Sequence, residues 1–156
     1  MEINIKILDE FKIVGYGVKT NLENNEKDIS NLFNDFFKNK KENNLKNIFN
    51  CKGGLYTLLY YTNNKKEYYY ILGKKLEKIP QSSLFKDIII KNIPKTKYAV
   101  TKINQELDII KGLTEDFYNE IPKLGYIPND ELGFYFEYYA KGINGDCELY
   151  VPIIKK

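Results

Sequence analysis

The chain has 156 residues with 24 Lys+Arg against 21 Asp+Glu, a net charge of +3. That is long enough for one domain with a buried core, and too weakly basic for a contiguous nucleic-acid stripe. The sequence holds no histidine and no arginine, which excludes a histidine triad, a histidine-ligated metal, an arginine finger and a bidentate arginine clamp on phosphate.

In chain order, Ile3, Ile5 and Ile7 alternate as in a strand, and Phe11 to Thr20 continues the extended pattern. From Lys27 to Lys38, the residues Ile29, Leu32, Phe33, Phe36 and Phe37 fall at helical spacing and predict an amphipathic helix. The Asn- and Lys-rich stretch that follows reads as a polar loop. Two strands are predicted at Leu55 to Thr62 and Glu67 to Leu76, turning at Asn63-Asn64. Ile79-Pro80-Gln81-Ser82-Ser83 reads as a connector. Phe85 to Ile93 and Tyr98 to Ile103 read as extended, and Leu107 to Ile121 as a helix with Ile110, Leu113, Phe117 and Ile121 on one face, stopped by Pro122. A closing hairpin, Gly133 to Ala140 and Cys147 to Ile154, turns at Gly142-Ile143-Asn144-Gly145.

The same order of elements is thus spelled twice. Ile29, Leu32, Phe36 and Phe37 align with Ile110, Leu113, Phe117 and Tyr118, and Leu59-Tyr60-Tyr61 aligns with Glu137-Tyr138-Tyr139. One βαββ unit cannot bury both its sheet and its helix face. The expectation is therefore an α+β fold: duplicated βαββ units sharing a curved antiparallel sheet, with two main helices and a central cleft. The predicted domain spans 1–156, with halves 1–78 and 79–156. In this alignment Leu59 supplies an apolar wall where the second half supplies an acid.

That acid, Glu137, sits inside Phe134-Tyr135-Phe136-Glu137-Tyr138-Tyr139. Alternation places Tyr135, Glu137 and Tyr139 on one face and Phe134, Phe136 and Tyr138 on the other. A carboxylate on an aromatic wall must be wet, hydrogen-bonded or matched to a cation; on a half-exposed strand it would simply face solvent. Cys51 and Cys147 do not form a short metal-ligand spacing. Met1-Glu2-Ile3 runs straight into a strand-like pattern, and no apolar stretch reaches membrane-spanning length. Cytoplasmic residence, free thiols, no membrane contact and no cofactor are expected.

Along the chain, in order, stand Phe11-Lys12-Ile13-Val14-Gly15, Tyr70-Ile71-Leu72-Gly73, Ile93-Pro94 with Tyr98-Ala99-Val100, Leu124-Gly125-Tyr126, Phe136-Glu137-Tyr138-Tyr139 and Val151-Pro152-Ile153-Ile154-Lys155. In this order they resemble the GyrI-like small-molecule-binding domain, also found as the effector-binding domain of AraC- and MerR-type multidrug regulators. The resemblance covers the whole chain and implies a pocket for hydrophobic, cationic aromatic small molecules. It carries over to Glu137 and Tyr139 directly, and to Tyr56, Tyr70, Tyr98, Tyr135 and Tyr150 by their positions on strands. Many members carry a tryptophan in the second helix, and this chain has none. With no helix-turn-helix in the sequence, the expectation is a standalone, non-enzymatic effector binder without direct nucleic-acid contact. One alternative implied by the resemblance is a hydrolase of cyclopropanoid, electrophilic toxins, with Glu137 and tyrosines as its acid–base groups. Another is an inhibitory contact with DNA gyrase.

Overall fold

The structure, a computed structural model, describes residues 1–78, 86–104 and 110–156, with side chains except those of 110–113. In chain order its elements are β1 (Asn4–Leu8), β2 (Phe11–Asn21), α1 (Asn25–Lys38), α2 (Lys41–Phe49), β3 (Leu55–Tyr61) and β4 (Glu67–Leu76). They continue as β5 (Ile89–Ile93), β6 (Thr96–Ile103), α3 (Ile110–Glu120), β7 (Tyr126–Pro128), β8 (Phe134–Tyr139) and β9 (Cys147–Lys155). The fold is α+β. All strand pairings are antiparallel, in the order β1-β6-β9-β8-β3-β4-β2-β5, with β7 on β9.

The order exchanges two strands. β1 precedes β2 in the chain but pairs with β6, and β5 precedes β6 but pairs with β2. The expected halves therefore share strands as well as the central β3–β8 seam.

Both faces of the sheet are buried, which is why its strands read as near-continuous apolar runs rather than clean alternations. One face carries Val14, Leu72, Ala99, Leu149 and Val151 beneath Phe36 of α1, Leu45 and Phe49 of α2, and Phe117 of α3. The other carries Ile13, Leu58, Ile71, Ile93, Tyr98 and Phe136 in a second core. The curled sheet fills this side with aromatic rings, among them Phe11 edge-on to Phe136 at 5.7 Å.

The predicted polar loop after α1 is instead the helix α2. Leu45 and Phe49 stand four residues apart and are both buried, giving a one-stripe helix whose Asn43, Asn44, Lys46 and Asn47 are exposed. Lys74, fully buried on β4, ties it down: its Nζ donates to the Gly53 carbonyl oxygen at 2.6 Å and lies 3.1 Å from Glu42 Oε2 on α2.

The second predicted helix is seen from Ile110; its start, like the Ile79–Ser83 connector and Phe85, lies outside the described residues. A 3₁₀ turn at Ile121–Leu124 follows, where Pro122 sits in the first turn and Gly125 closes with φ of 87°. Beyond it β7, not anticipated from the sequence, pairs Tyr126 to Pro128 with Lys155 to Ile153. No helix among the described residues is long and apolar enough to cross a membrane.

Tyr98 lies in the second core at 0% exposure, and its hydroxyl has no hydrogen-bond partner among the described residues. An unmet buried hydroxyl costs about 1–3 kcal/mol. Tyr98→Phe is therefore expected to raise stability by about 1 kcal/mol, read as a higher urea midpoint at unchanged slope. A lower midpoint would show that the hydroxyl is satisfied.

Candidate functional site

The alternation along β8 is as expected: Tyr139 and Tyr135 belong to the helix-covered core, and Phe134, Phe136 and Tyr138 to the opposite one. Glu137 therefore points toward the helices, half-buried. Its cross-strand neighbour on β3 is Thr57, whereas Leu59 stands opposite Tyr135. The duplication aligned Glu137 with Leu59; across the seam, the wall facing the acid is a threonine. Thr57, itself buried, donates its hydroxyl proton to Glu137 Oε1 at 3.0 Å. On β9, Cys147 Sγ lies 3.6 Å from Glu137 Oε2.

Tyrosines surround this carboxylate. The Tyr70 hydroxyl is pushed well above its usual range by burial and then by the Glu137 charge, and it contacts Thr57. Tyr139 is raised by burial first and Glu137 second. Tyr135 is raised by burial, then by Tyr118, Tyr61, Glu137 and Tyr70. The ring of Phe33, on α1, stands 6.1 Å from that of Tyr70. From α3, Tyr118 approaches Tyr135. Beside Tyr135 a cleft of about 580 Å³ opens between Tyr118, Tyr61 and the 129–133 loop, with Asp130 and Glu131 in its wall. Cavities of about 300–1,000 Å³ suit small organic ligands.

Four of the seven residues expected at the site, Glu137, Tyr70, Tyr135 and Tyr139, come together. The other three do not join them: Tyr56, Tyr98 and Tyr150 lie on the opposite face of the sheet. Thr57, Cys147, Phe33 and Tyr118 complete the constellation without having been anticipated. The spacing of Thr57 in its strand was a usable signal, since it shares a face with Leu55 and Leu59.

The thiol and phenol groups around Glu137 hold on to their protons. Burial and the Glu137 charge raise the Cys147 thiol from 9.0 to about 12, and burial raises Cys51 as well. Neither thiol should react with iodoacetamide in the native protein at pH 8, and both should after unfolding. Above pH 9 the unfolded chain releases the Cys147 proton while the native one retains it, so stability falls as pH rises. Tyr70, Tyr135 and Tyr139 act in the same direction above pH 10. The expected loss between pH 8 and pH 10 is about 1 kcal/mol from Cys147 alone, measured as a falling urea midpoint; a flat profile would place the thiol outside the buried shell.

The Cass2 family model, described as integron-associated effector binding protein, matches residues 4–153; Cass2 is a GyrI-like family. In structure the chain is similar to SAV2435 bound to tetraphenylphosphonium, at 13% identity, covering 99% of this chain and 94% of that one with a TM-score of 0.76. It is similar to the integron cassette protein VCH_CASS2 of Vibrio cholerae, at 19% identity, 97% and 95% coverage and a TM-score of 0.63. The C-terminal domain of EcmrR is a third, at 14% identity, 99% and 98% coverage and a TM-score of 0.62. At these identities the likeness establishes the fold. Among curated proteins none matches the chain in sequence.

Proposed function

The chain belongs to the Cass2 family of integron-associated effector-binding proteins, and we propose that it binds hydrophobic, cationic aromatic small molecules with Glu137 as their counter-charge. The observation that carries this reading is the half-buried carboxylate among Tyr70, Tyr135 and Tyr139, with no lysine pairing with it among the described residues. A carboxylate in such surroundings gains from a cation more than one in water does, because the low local dielectric strengthens the pair. Phenol rings add cation–π attraction of about 0.5–2 kcal/mol each. That SAV2435 binds tetraphenylphosphonium in the same fold supports the choice of ligand class.

Calorimetric titration with tetraphenylphosphonium tests the reading. The expected dissociation constant is about micromolar, near −8 kcal/mol, once desolvation and ordering are counted. Neutral triphenylphosphine oxide, with three phenyl rings against the cation's four, should bind at least about tenfold more weakly. Equal affinity for the two would remove the counter-charge from the account.

A further inference from the structure

Tyr56 and Tyr150, which fall on the opposite face of the sheet from Glu137, line a cavity there together with Tyr138. It measures about 690 Å³ and lies at the mouth of the second core, with Phe11, Tyr56, Phe136, Tyr138 and Tyr150 in its wall. Tyr56 is the hub: its ring centroid is 4.7 Å from that of Tyr138, 5.7 Å from Phe136 and 6.0 Å from Phe11. Phe136 and Tyr150 stack at 4.6 Å with an interplanar angle of 14°. The recess opens to solvent between exposed Asp9, Glu10 and Glu77, and its size suits a small organic ligand.

Its charge is biased. Asp9, Glu10, Glu77 and Glu148 line it against Lys52 and Lys75. The Tyr56 hydroxyl is within electrostatic reach of Tyr138, Tyr150, Glu77 and Glu148 together. The rings also present their faces to cations already: Lys75 Nζ stands 5.8 Å from the Phe11 centroid and Lys6 Nζ 6.0 Å from that of Tyr150. Lys6 is exposed and lies 3.7 Å from Glu148, a pair that a better-fitting cation displaces at little cost.

We propose that this cavity is a second ligand site, taking an ammonium compound with an aromatic or alkyl body, the cation among the tyrosine faces and Glu77 and Glu148 near it. The two sites stand back to back on β8, where Phe136 faces this cavity and its neighbour Glu137 faces the helices. The inference is independent of the Glu137 reading, because no side chain is shared.

Tyrosine-ring-labelled protein titrated with benzyltrimethylammonium and followed by NMR tests it, with signals assigned by single Tyr→Phe variants. The expected result is movement of the Tyr56, Tyr138 and Tyr150 signals that persists in Glu137→Gln. The double variant Glu77→Gln/Glu148→Gln, which keeps side-chain volume at exposed Glu77 and at part-buried Glu148, should weaken that movement by about fivefold or more. Three results would each overturn the proposal: no movement of these signals up to about 10 mM, a range covering even millimolar affinities, loss of the movement in Glu137→Gln, or equal binding by the double variant. Failure of the Glu137 reading registers separately, in the signals of Tyr70, Tyr135 and Tyr139.

Discussion

Replacing Glu137 by glutamine is expected to weaken tetraphenylphosphonium binding by about 10- to 30-fold, or about 1.4–2 kcal/mol, while leaving triphenylphosphine oxide within about twofold. The substitution keeps the side chain's volume, and the amide oxygen can still accept the Thr57 hydroxyl that now reaches Oε1 at 3.0 Å. What it removes is the charge. The ion-pair attraction at about 4 Å is roughly 4 kcal/mol gross at an effective dielectric of about 20, and desolvating the carboxylate takes back part of it. The net loss therefore falls between that of an exposed pair and the gross figure. Folding stability should hold or rise slightly, since a half-buried charge is exchanged for a neutral amide. Calorimetry on both ligands, with thermal unfolding as the control, separates the cases. An equal drop for the cation and the neutral compound would mean that the variant had disturbed the packing around residue 137 instead of only removing its charge.

The face on which Glu137 lies was legible in the sequence, because a strand's side chains alternate whatever its neighbours do. Its partner was not. Pairing Glu137 with Thr57 depends on the β3–β8 register, which joins segments 80 residues apart and leaves no local trace. The division of the tyrosines was hidden for a related reason. With both faces of the sheet buried, Tyr56 and Tyr150 look as much like pocket residues as Tyr70 and Tyr135 do, and only the packing of α1 and α3 says which face they share with the acid. Helix α2 escaped because its two buried anchors, Leu45 and Phe49, are outnumbered by Asn and Lys, residues that composition assigns to loops. The long elements were readable for the opposite reason: α1 carries its apolar residues at helical spacing over three turns, and Phe36 is fully buried.

Two of the marks that suggested the family, the run ending at Gly15 and the run ending at Gly73, prove to be partners. The two glycines face each other across the β2–β4 pairing. A Cβ on Gly73 would lie 2.3 Å from the Val14 carbonyl oxygen, and one on Gly15 2.3 Å from that of Leu72. Both obstacles are backbone, so no side-chain rotation relieves them. Gly73→Ala is expected to cost about 2–4 kcal/mol, lowering the melting temperature by roughly 10 °C for a chain of this size. The strands must separate locally, which strains the ladder that holds Tyr70 and Lys74, the first beside Glu137 and the second anchoring α2. Gly15→Ala should cost a similar amount. The double variant should cost clearly less than the sum, because a methyl on either strand opens the same gap for the other. Chemical denaturation of the two single variants and the double one measures the coupling. Additive losses would show that β2 and β4 accommodate each methyl separately, and that the close approach at this pair is not what requires glycine.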